Sequence, residues 1–317
     1  MNDPVKLQLV SARMLTGSVR ELVFAATGGA ALSGYAPGAH FKFQLPVGER
    51  CYSLIDFEPR ASDAGHYRFA VLLEADGSGG SKHMHGLEPG DEVEILGPVN
   101  EFPLQPSKPA LLIAGGIGVT PIISMATAHK AAGTAFRFHY ACRTEAAMAY
   151  RAELEAAFGD QLTLHFDDRA EMALDLAGLM QSCGSEEHIY VCGPKGMIEA
   201  VKRAADAAGI AGTRVHFELF TTAAEQAGDE AFEVEVKSTG EVFVVPAGKT
   251  IIDVLEEGGV DLVYDCQRGD CGICQTDVID GVPDHRDVVL SDSEKAEGKV
   301  MQICVSRAKS ARLVLDL

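Results

Sequence analysis

The chain has 317 residues, enough for two or three domains, and its 47% hydrophobic content can bury real cores, which excludes a disordered polymer. A net charge of −19 argues against a nucleic-acid partner, and no run of about 18 or more apolar residues offers a membrane span. The opening MNDPVKLQLV lacks the basic region and apolar core of a signal peptide, and Cys51, Cys142, Cys183 and Cys192 are scattered without a disulfide framework, so a reducing cytoplasm is expected.

Residues 1–106 read as β-rich. LQLVSARML, ELVFAAT, HFKFQLP, CYSLID, YRFAVLLE and DEVEILG are short apolar or alternating runs, punctuated by Gly, Pro and Asp at the spacing of a small antiparallel barrel. Within them, RCYSL (50–54) and GSGGS (77–81) stand out. An isoalloxazine ring needs an apolar or aromatic face, polar contacts at its rim and a donor near the nitrogen that receives hydride. Arg50 shares a strand face with Tyr52, and a flat strand would turn Tyr52 and Ser53 to opposite faces. The glycine-rich run offers backbone amides ahead of SKHMHGL, a short helix. An ordinary barrel strand and hairpin account for the same residues. GPVNEFPLQPSKP, with four prolines, reads as the exit linker.

The rhythm changes over 107–224. ALLIA is a continuous apolar strand leading into GGIGVT and a helix opened by Pro121. FRFHYAC, LTLHF, HIYVC and RVHFELF follow as strands, separated by helices read at EAAMAYRAELEAAF and IEAVKRAADAAG. Alternating strands and helices give right-handed βαβ units and a parallel sheet. GGIGVTP (115–121) is compatible with a dinucleotide loop or with a tight strand-to-helix turn, and departs from the usual G-x-G-x-x-G. CGPKGM (192–197) repeats the arrangement, so the two loops are expected to share a crevice, with Cys192 either at that crevice or a buried structural thiol.

TTAAEQAGDE (221–230) reads as a linker. In the third region, 230–317, FEVEVKSTGEVFVVP reads as a hairpin turning at Thr239-Gly240, TIIDVLEEGG as a helix capped by Thr250, and VMQICVSRA and ARLVLDL as strands. Between them Cys266, Cys271 and Cys274 stand at C-x4-C-x2-C, with Cys304 following 30 positions later. This is the plant-type spacing for a 2Fe-2S cluster, in which four soft thiolates close two tetrahedra. Zinc ribbons pair C-x2-C with a second such pair or with histidines, disulfides suit small secreted scaffolds, and neither pattern is present. The ten histidines show no metal spacing.

In that order, a barrel, a dinucleotide region and a plant-type ferredoxin resemble the phthalate dioxygenase reductases, single-chain reductases of Rieske oxygenases that include vanillate O-demethylase reductases. The likeness covers essentially the whole chain through RCYSL, GSGGS, NEFPL, GGIGVTP, CGPKGM, VHFELF, the cysteine loop and DHRDVVLSDSEK…CVSRAKSARLVLDL. It implies a flavin-binding barrel over 1–106, an NAD(H)-binding α/β domain over 107–224 and a β-grasp 2Fe-2S ferredoxin domain over 230–317. It further implies FMN, NADH and the cluster as cofactors, and electron transfer as a monomer to a terminal Rieske oxygenase. Carried over by residue, Arg50, Tyr52 and Ser53 contact the flavin, Gly80 and Ser81 its phosphate, and Phe220 lies beside the ring. Gly115, Gly116, Gly118, Thr120, Arg143, Cys192, Gly193 and Pro194 form the nicotinamide and pyrophosphate site, with Ser53 and Cys192 the candidate catalytic residues. Cys266, Cys271, Cys274 and Cys304 hold the iron. Ser78 stands where relatives carry Arg, Leu72 where they carry another basic residue near the flavin, and Arg143-Thr144 where they often have Arg-Asp. An acidic residue there favours the free ribose hydroxyl of NAD, so NADPH stays open beside NADH.

Overall fold

A computed structural model of the chain describes residues 4–29, 32–58, 65–75, 77–220 and 228–317. The linker expected at 221–230 therefore lies mostly outside the described residues. The chain divides into two compact units, Met1–Glu218 and Leu219–Leu317.

The first unit opens with an antiparallel sheet of β1 (Val5–Met14), β2 (Val19–Ala26), β3 (His40–Leu45), β4 (Gly48–Ser53), β5 (His66–Leu72) and β6 (Glu92–Val99), in the order β4-β3-β6-β1-β2-β5. A short helix, α1 (Gly80–Gly86), sits between β5 and β6. The alternating apolar positions of these strands meet inside: Phe24, Phe41, Phe43, Tyr67 and Phe69 pack edge-on or tilted. A register shift between His40 and Lys42 bends β3 where it meets β6.

A parallel sheet follows, formed by β7 (Ala110–Gly115), β8 (Phe136–Cys142), β9 (Leu162–Phe166), β10 (His188–Cys192) and β11 (Val215–Glu218), in the order β11-β10-β7-β8-β9. Every residue of β7 is buried, as the unbroken apolar run requires of a central parallel strand covered on both faces. The chain runs outward one way from β7 to β9 and returns on the other side at β10, so β7 and β10 flank the point where a crevice opens. The helices are α2 (Val119–Ala132), α3 (Arg151–Phe158), α4 (Leu176–Gln181) and α5 (Lys195–Ala207). The helix expected across 145–158 is shorter: only 151–158 is α-helical, because Tyr150 takes φ 60° and breaks the run. Its ring packs on Phe57 and its hydroxyl donates to Glu21 at 2.8 Å, which holds the residue out of helical geometry.

The two sheets of this unit share buried contacts. Ser124 on α2 donates to the Leu54 carbonyl (2.8 Å) and accepts from the Asp56 N–H (3.1 Å), while Thr127 donates to the Asp56 carbonyl (2.7 Å). The segment leaving β4 is thereby stitched to the helix that follows β7.

The second unit contains β12 (Phe232–Val236), β13 (Val242–Val245), α6 (Ile251–Glu257), β14 (Gln275–Asp280), β15 (Pro283–Asp284), α7 (Asp292–Glu297), β16 (Val300–Gln302), β17 (Arg307–Ala308) and β18 (Arg312–Leu315). Its main sheet runs β13-β12-β18-β14-β16, with β12 and β18 parallel. The hairpin turns at Thr239-Gly240, where Gly240 takes φ +73°. Thr250 caps α6 in a reciprocal capping box with Asp253, and Ser291 does the same for α7 with Glu294. The strand expected over VMQICVSRA stops at Gln302: the N–H groups of Val305 and Ser306 both turn back to the Gln302 carbonyl, which delivers Cys304 toward the cysteine loop. Among the described residues no helix is long and apolar enough to cross a membrane.

Candidate cofactor and electron-transfer sites

Arg50 leaves β4 at the open end of the first sheet and lies across the glycine-rich turn. Its guanidinium donates to Ser78 Oγ at 2.6 Å and to the carbonyls of Glu49 (2.6 Å) and Val47 (3.2 Å). A Cβ on Gly80 would stand 2.7 Å from the Arg50 side chain, so glycine is what admits it. Ser81 is buried, and its hydroxyl accepts the Glu74 N–H at 3.0 Å. Cation, hydroxyls and backbone amides gathered in one turn suit a phosphate. Tyr52 packs edge-on against Phe43, and desolvation pushes its phenol up to about 12, so it is a neutral ring at physiological pH. Ser53, the last residue of β4, is buried and pairs across the ladder with His40. Tyr52 and Ser53 pair in unbroken register with Phe41 and His40, so the alternation of the ladder holds through both residues.

At the switch point the two glycine-rich loops are pressed together. A Cβ on Gly118 would sit 2.3 Å from the Cys192 carbonyl oxygen, and one on Gly115 would sit 2.8 Å from Pro194 Cδ. A Cβ on Gly193 would in turn meet the Gly115 backbone at 3.0 Å. Gly116 takes φ +54°, which a bulkier residue would resist. Glycine at these places lets backbone approach backbone at the carboxyl edge of β7 and β10, where a pyrophosphate would lie. Thr120 is buried and its hydroxyl donates to the Ile117 carbonyl at 3.1 Å, bracing the loop. Cys192 is fully buried. Arg143 is exposed just beyond β8, and its carbonyl accepts the Asp168 N–H at 3.1 Å.

Pattern reading of the sequence passes over two side chains here. His40, opposite Ser53, lies 3.8 Å from Glu218, opposite Cys192, and both are nearly inaccessible. Neither belongs to a recognisable spacing, because they are 178 positions apart and meet only through the fold.

In the second unit the four cysteines converge. Cys304 is electrostatically linked to Cys266 and Cys274, and Cys266 to Cys271. The neighbouring Cys304 thiol holds Cys266 down to about 3 and Cys274 below the usual thiol value, and is itself pushed up. The Arg268 N–H points at Cys266 Sγ at 3.3 Å. Gly269 and Gly272 both take φ +79°, and a Cβ on Gly269 would strike Val305 at 2.6 Å. Cys274 and Cys304 are buried while Cys271 is exposed, which leaves one edge of the nest facing outward. Among the described residues no three ligating side chains close on a single metal ion. A two-iron cluster instead needs two pairs of thiolates around a larger core, and this donor set fits that. Asp270 completes the loop: its carboxylate accepts the Leu219 N–H at 2.9 Å and lies 3.5 Å from Arg268, while burial pushes it up to about 7. Phe220 belongs to this second unit and is partly exposed.

Comparison with known proteins agrees with the geometry. Residues 112–203 match the oxidoreductase NAD-binding domain family, and residues 234–309 the 2Fe-2S iron-sulfur cluster binding domain family. The phenoxybenzoate dioxygenase subunit beta of Ectopseudomonas oleovorans is 41% identical over 293 residues, covering 90% of each chain. The vanillate O-demethylase oxidoreductase of a Pseudomonas strain is 39% identical over 319 residues, 99% of this chain and 100% of that one. A solved phthalate dioxygenase reductase, described as a modular structure for electron transfer from pyridine nucleotides to [2Fe-2S], superposes with a TM-score of 0.72 at 33% identity, covering 99% and 98% of the two chains. Fold and sites thus define an electron-transfer oxidoreductase that uses NADH, FMN and a 2Fe-2S cluster. Within that class, the chain belongs to the phthalate dioxygenase reductase family.

Proposed function

We propose that this chain is the NADH-dependent reductase component of a Rieske-type aromatic-ring oxygenase or demethylase, working as a monomer and delivering electrons to the terminal oxygenase. The observation that carries the reading is the presence, in one chain, of a nucleotide crevice between two interlocked glycine loops and a nest of four converging cysteines. When bound, FMN accepts electrons in pairs and yields them singly, which a one-electron iron centre requires.

The chain's own residues divide the work by region, with the flavin at 1–106, NADH at 107–224 and the cluster at 230–317. Arg50 with the 77–81 turn holds the FMN phosphate; Tyr52 supplies an aromatic face and Ser53 a polar contact at the ring. Gly115, Gly116, Gly118, Thr120, Gly193 and Pro194 form the pyrophosphate cradle, Cys192 borders the nicotinamide, and Arg143 lies toward the adenosine ribose. Cys266, Cys271, Cys274 and Cys304 hold the iron. Residues 230–317 carry 18 acidic and 9 basic side chains, a net of −9, so this region favours a basic docking surface on the oxygenase.

The test is an absorbance spectrum with acid-released flavin identified by mass, followed by anaerobic titration with NADH and with NADPH. Bleaching of FMN by NADH and reduction of a two-iron chromophore are expected. Colourless protein whose iron stays near zero after anaerobic reconstitution would sink the reading. Electron transfer to the oxygenase should slow as ionic strength rises past about 0.15 M, where the screening length is about 8 Å; a salt-independent rate would remove the docking claim alone.

A further inference from the structure

Gln302 is fully buried, between Met301 and Ile303, which are also buried. Leaving a primary amide in an apolar interior is costly unless its donors and acceptor are used. Two partners are in reach. Gln302 Oε1 lies 3.5 Å from Cys274 Sγ, and Gln302 Nε2 donates to Gln275 Oε1 at 3.1 Å. The amide is held in place from behind: β14 and β16 pair Gln275 with Gln302, and the Gln302 carbonyl accepts from both Val305 and Ser306. Gln275, by contrast, is exposed and free to bond water.

The orientation suits a protonated Cys274, which can donate to a carbonyl oxygen. A thiolate cannot donate; it only accepts. With Cys274 ionised as an iron ligand, oxygen facing sulfur becomes repulsive, and turning the amide over exchanges Oε1 for Nε2 with little change of shape. The exposed Gln275 amide turns with it and donates to Gln302 Oε1, so every polar atom of the buried group stays paired.

We infer that Gln302 is a positioning residue of the iron–sulfur centre, donating a side-chain N–H···S hydrogen bond to Cys274 that stabilises the reduced state and raises the reduction potential. The inference rests on the four-cysteine reading of this site. Hydrogen bonds to cluster sulfurs, like burial, are levers by which a protein sets potential, because they offset the negative charge gained on reduction.

The test uses the intact holoprotein. In Gln302→Leu and in the shape-preserving Gln302→Met, with iron and sulfide content matched to wild type, the cluster midpoint is expected to fall by about one decade in the one-electron equilibrium, roughly 59 mV. In protein labelled with [15N-amide]glutamine, pulsed EPR of the reduced cluster should show a 15N coupling in wild type and in Gln275→Leu that is lost in Gln302→Leu. An unchanged midpoint in both Gln302 variants, or a labelled wild type without that coupling, overturns the inference while leaving the cluster in place. Failure of wild type to bind iron at all would instead overturn the reading of the four cysteines.

Discussion

His40 Nδ1 lies 3.8 Å from Glu218 Oε1 in the interior of the first unit, and the two residues sit opposite Ser53 and Cys192 on their respective sheet ladders. The pair therefore joins the antiparallel sheet to the parallel one at the place where flavin and nicotinamide are proposed to meet. Removing one polar member of a buried contact costs about 1–3 kcal/mol. Glu218→Ala should accordingly destabilise the first unit by about that much, lowering its urea midpoint, and slow NADH-driven flavin bleaching in stopped flow. Glu218→Gln, which keeps shape and hydrogen bonding, should retain most of the stability. A urea midpoint for Glu218→Ala equal to wild type would show that the pair does not hold the sheets together.

Gly118 tests the nucleotide crevice. A methyl group there would have to share space with the Cys192 carbonyl, whose oxygen and carbon would be 2.3 and 2.4 Å away, both backbone atoms that cannot swing aside. Overpacking of this kind costs about 1–3 kcal/mol when the loops give way. Gly118→Ala should lower the melting temperature and raise the NADH concentration for half-maximal flavin reduction about tenfold or more, since the loop that opens is the one proposed to cradle the pyrophosphate. Half-saturation at the wild-type concentration would mean that the nucleotide binds elsewhere.

Much of this organisation is legible before any coordinates. The plant-type spacing at 266–274 and the strand–glycine–helix run at 110–121 are local signals, because each places its chemistry within a few residues along the chain. What escapes is contact between distant residues. Tyr150 leaves helical geometry because Glu21, 129 positions earlier, takes its hydroxyl, and helix propensity contains no term for that. The strand expected through Cys304 ends at Gln302 because the chain must turn the cysteine toward its partners, although β-branched and apolar residues continue past it. His40 with Glu218, and Gln302 with Cys274, become visible only once strands are paired.

Arg50 bears on flavin retention. Its side chain lies on the 77–81 turn, where its bond to Ser78 Oγ at 2.6 Å holds it over Gly80. A hydrogen bond to a charged group contributes about 1.5–3 kcal/mol, which corresponds to roughly 10–100-fold in affinity. Arg50→Ala should purify with less FMN and show a Kd for added FMN raised by that factor, read from flavin fluorescence quenching. Ser78→Arg should tighten FMN. Equal flavin affinity in Arg50→Ala would place the phosphate away from this turn.

The two compact units predict that the two redox sites fail separately. All four cysteines proposed to hold the cluster lie in Leu219–Leu317, whereas the glycine loops and Arg50 lie in Met1–Glu218. Cys304→Ser should abolish the iron chromophore, since Cys304 is the thiol shared by Cys266 and Cys274. NADH bleaching of the flavin should continue at near the wild-type rate, and electron delivery to the oxygenase should stop. Loss of flavin bleaching in a variant that still folds and binds FMN would show that hydride transfer depends on the cluster.

The histidines of the parallel sheet set its response to acid. His139 and His165 stack with ring centroids 5.3 Å apart and share a 3.0 Å hydrogen bond, and His188 and His216 repeat the arrangement at 5.2 and 2.8 Å. Burial lowers all four, with the neighbouring histidine adding to the effect at His139 and His216; His139 falls to about 4. In the unfolded chain each titrates near about 6.5, so between that value and the folded one the unfolded state binds more protons. The stability they contribute is complete above about pH 6.5 and is lost as pH falls through the folded values. For His139 alone the loss by pH 4 is about 3 kcal/mol, at 1.36 kcal/mol per pKa unit. Urea midpoints of the first unit should therefore be flat from pH 8 to 7 and decline steeply from 6.5 to 4.5, and His139→Phe should make that decline shallower. A variant whose acid profile has the wild-type slope would assign the loss to other groups.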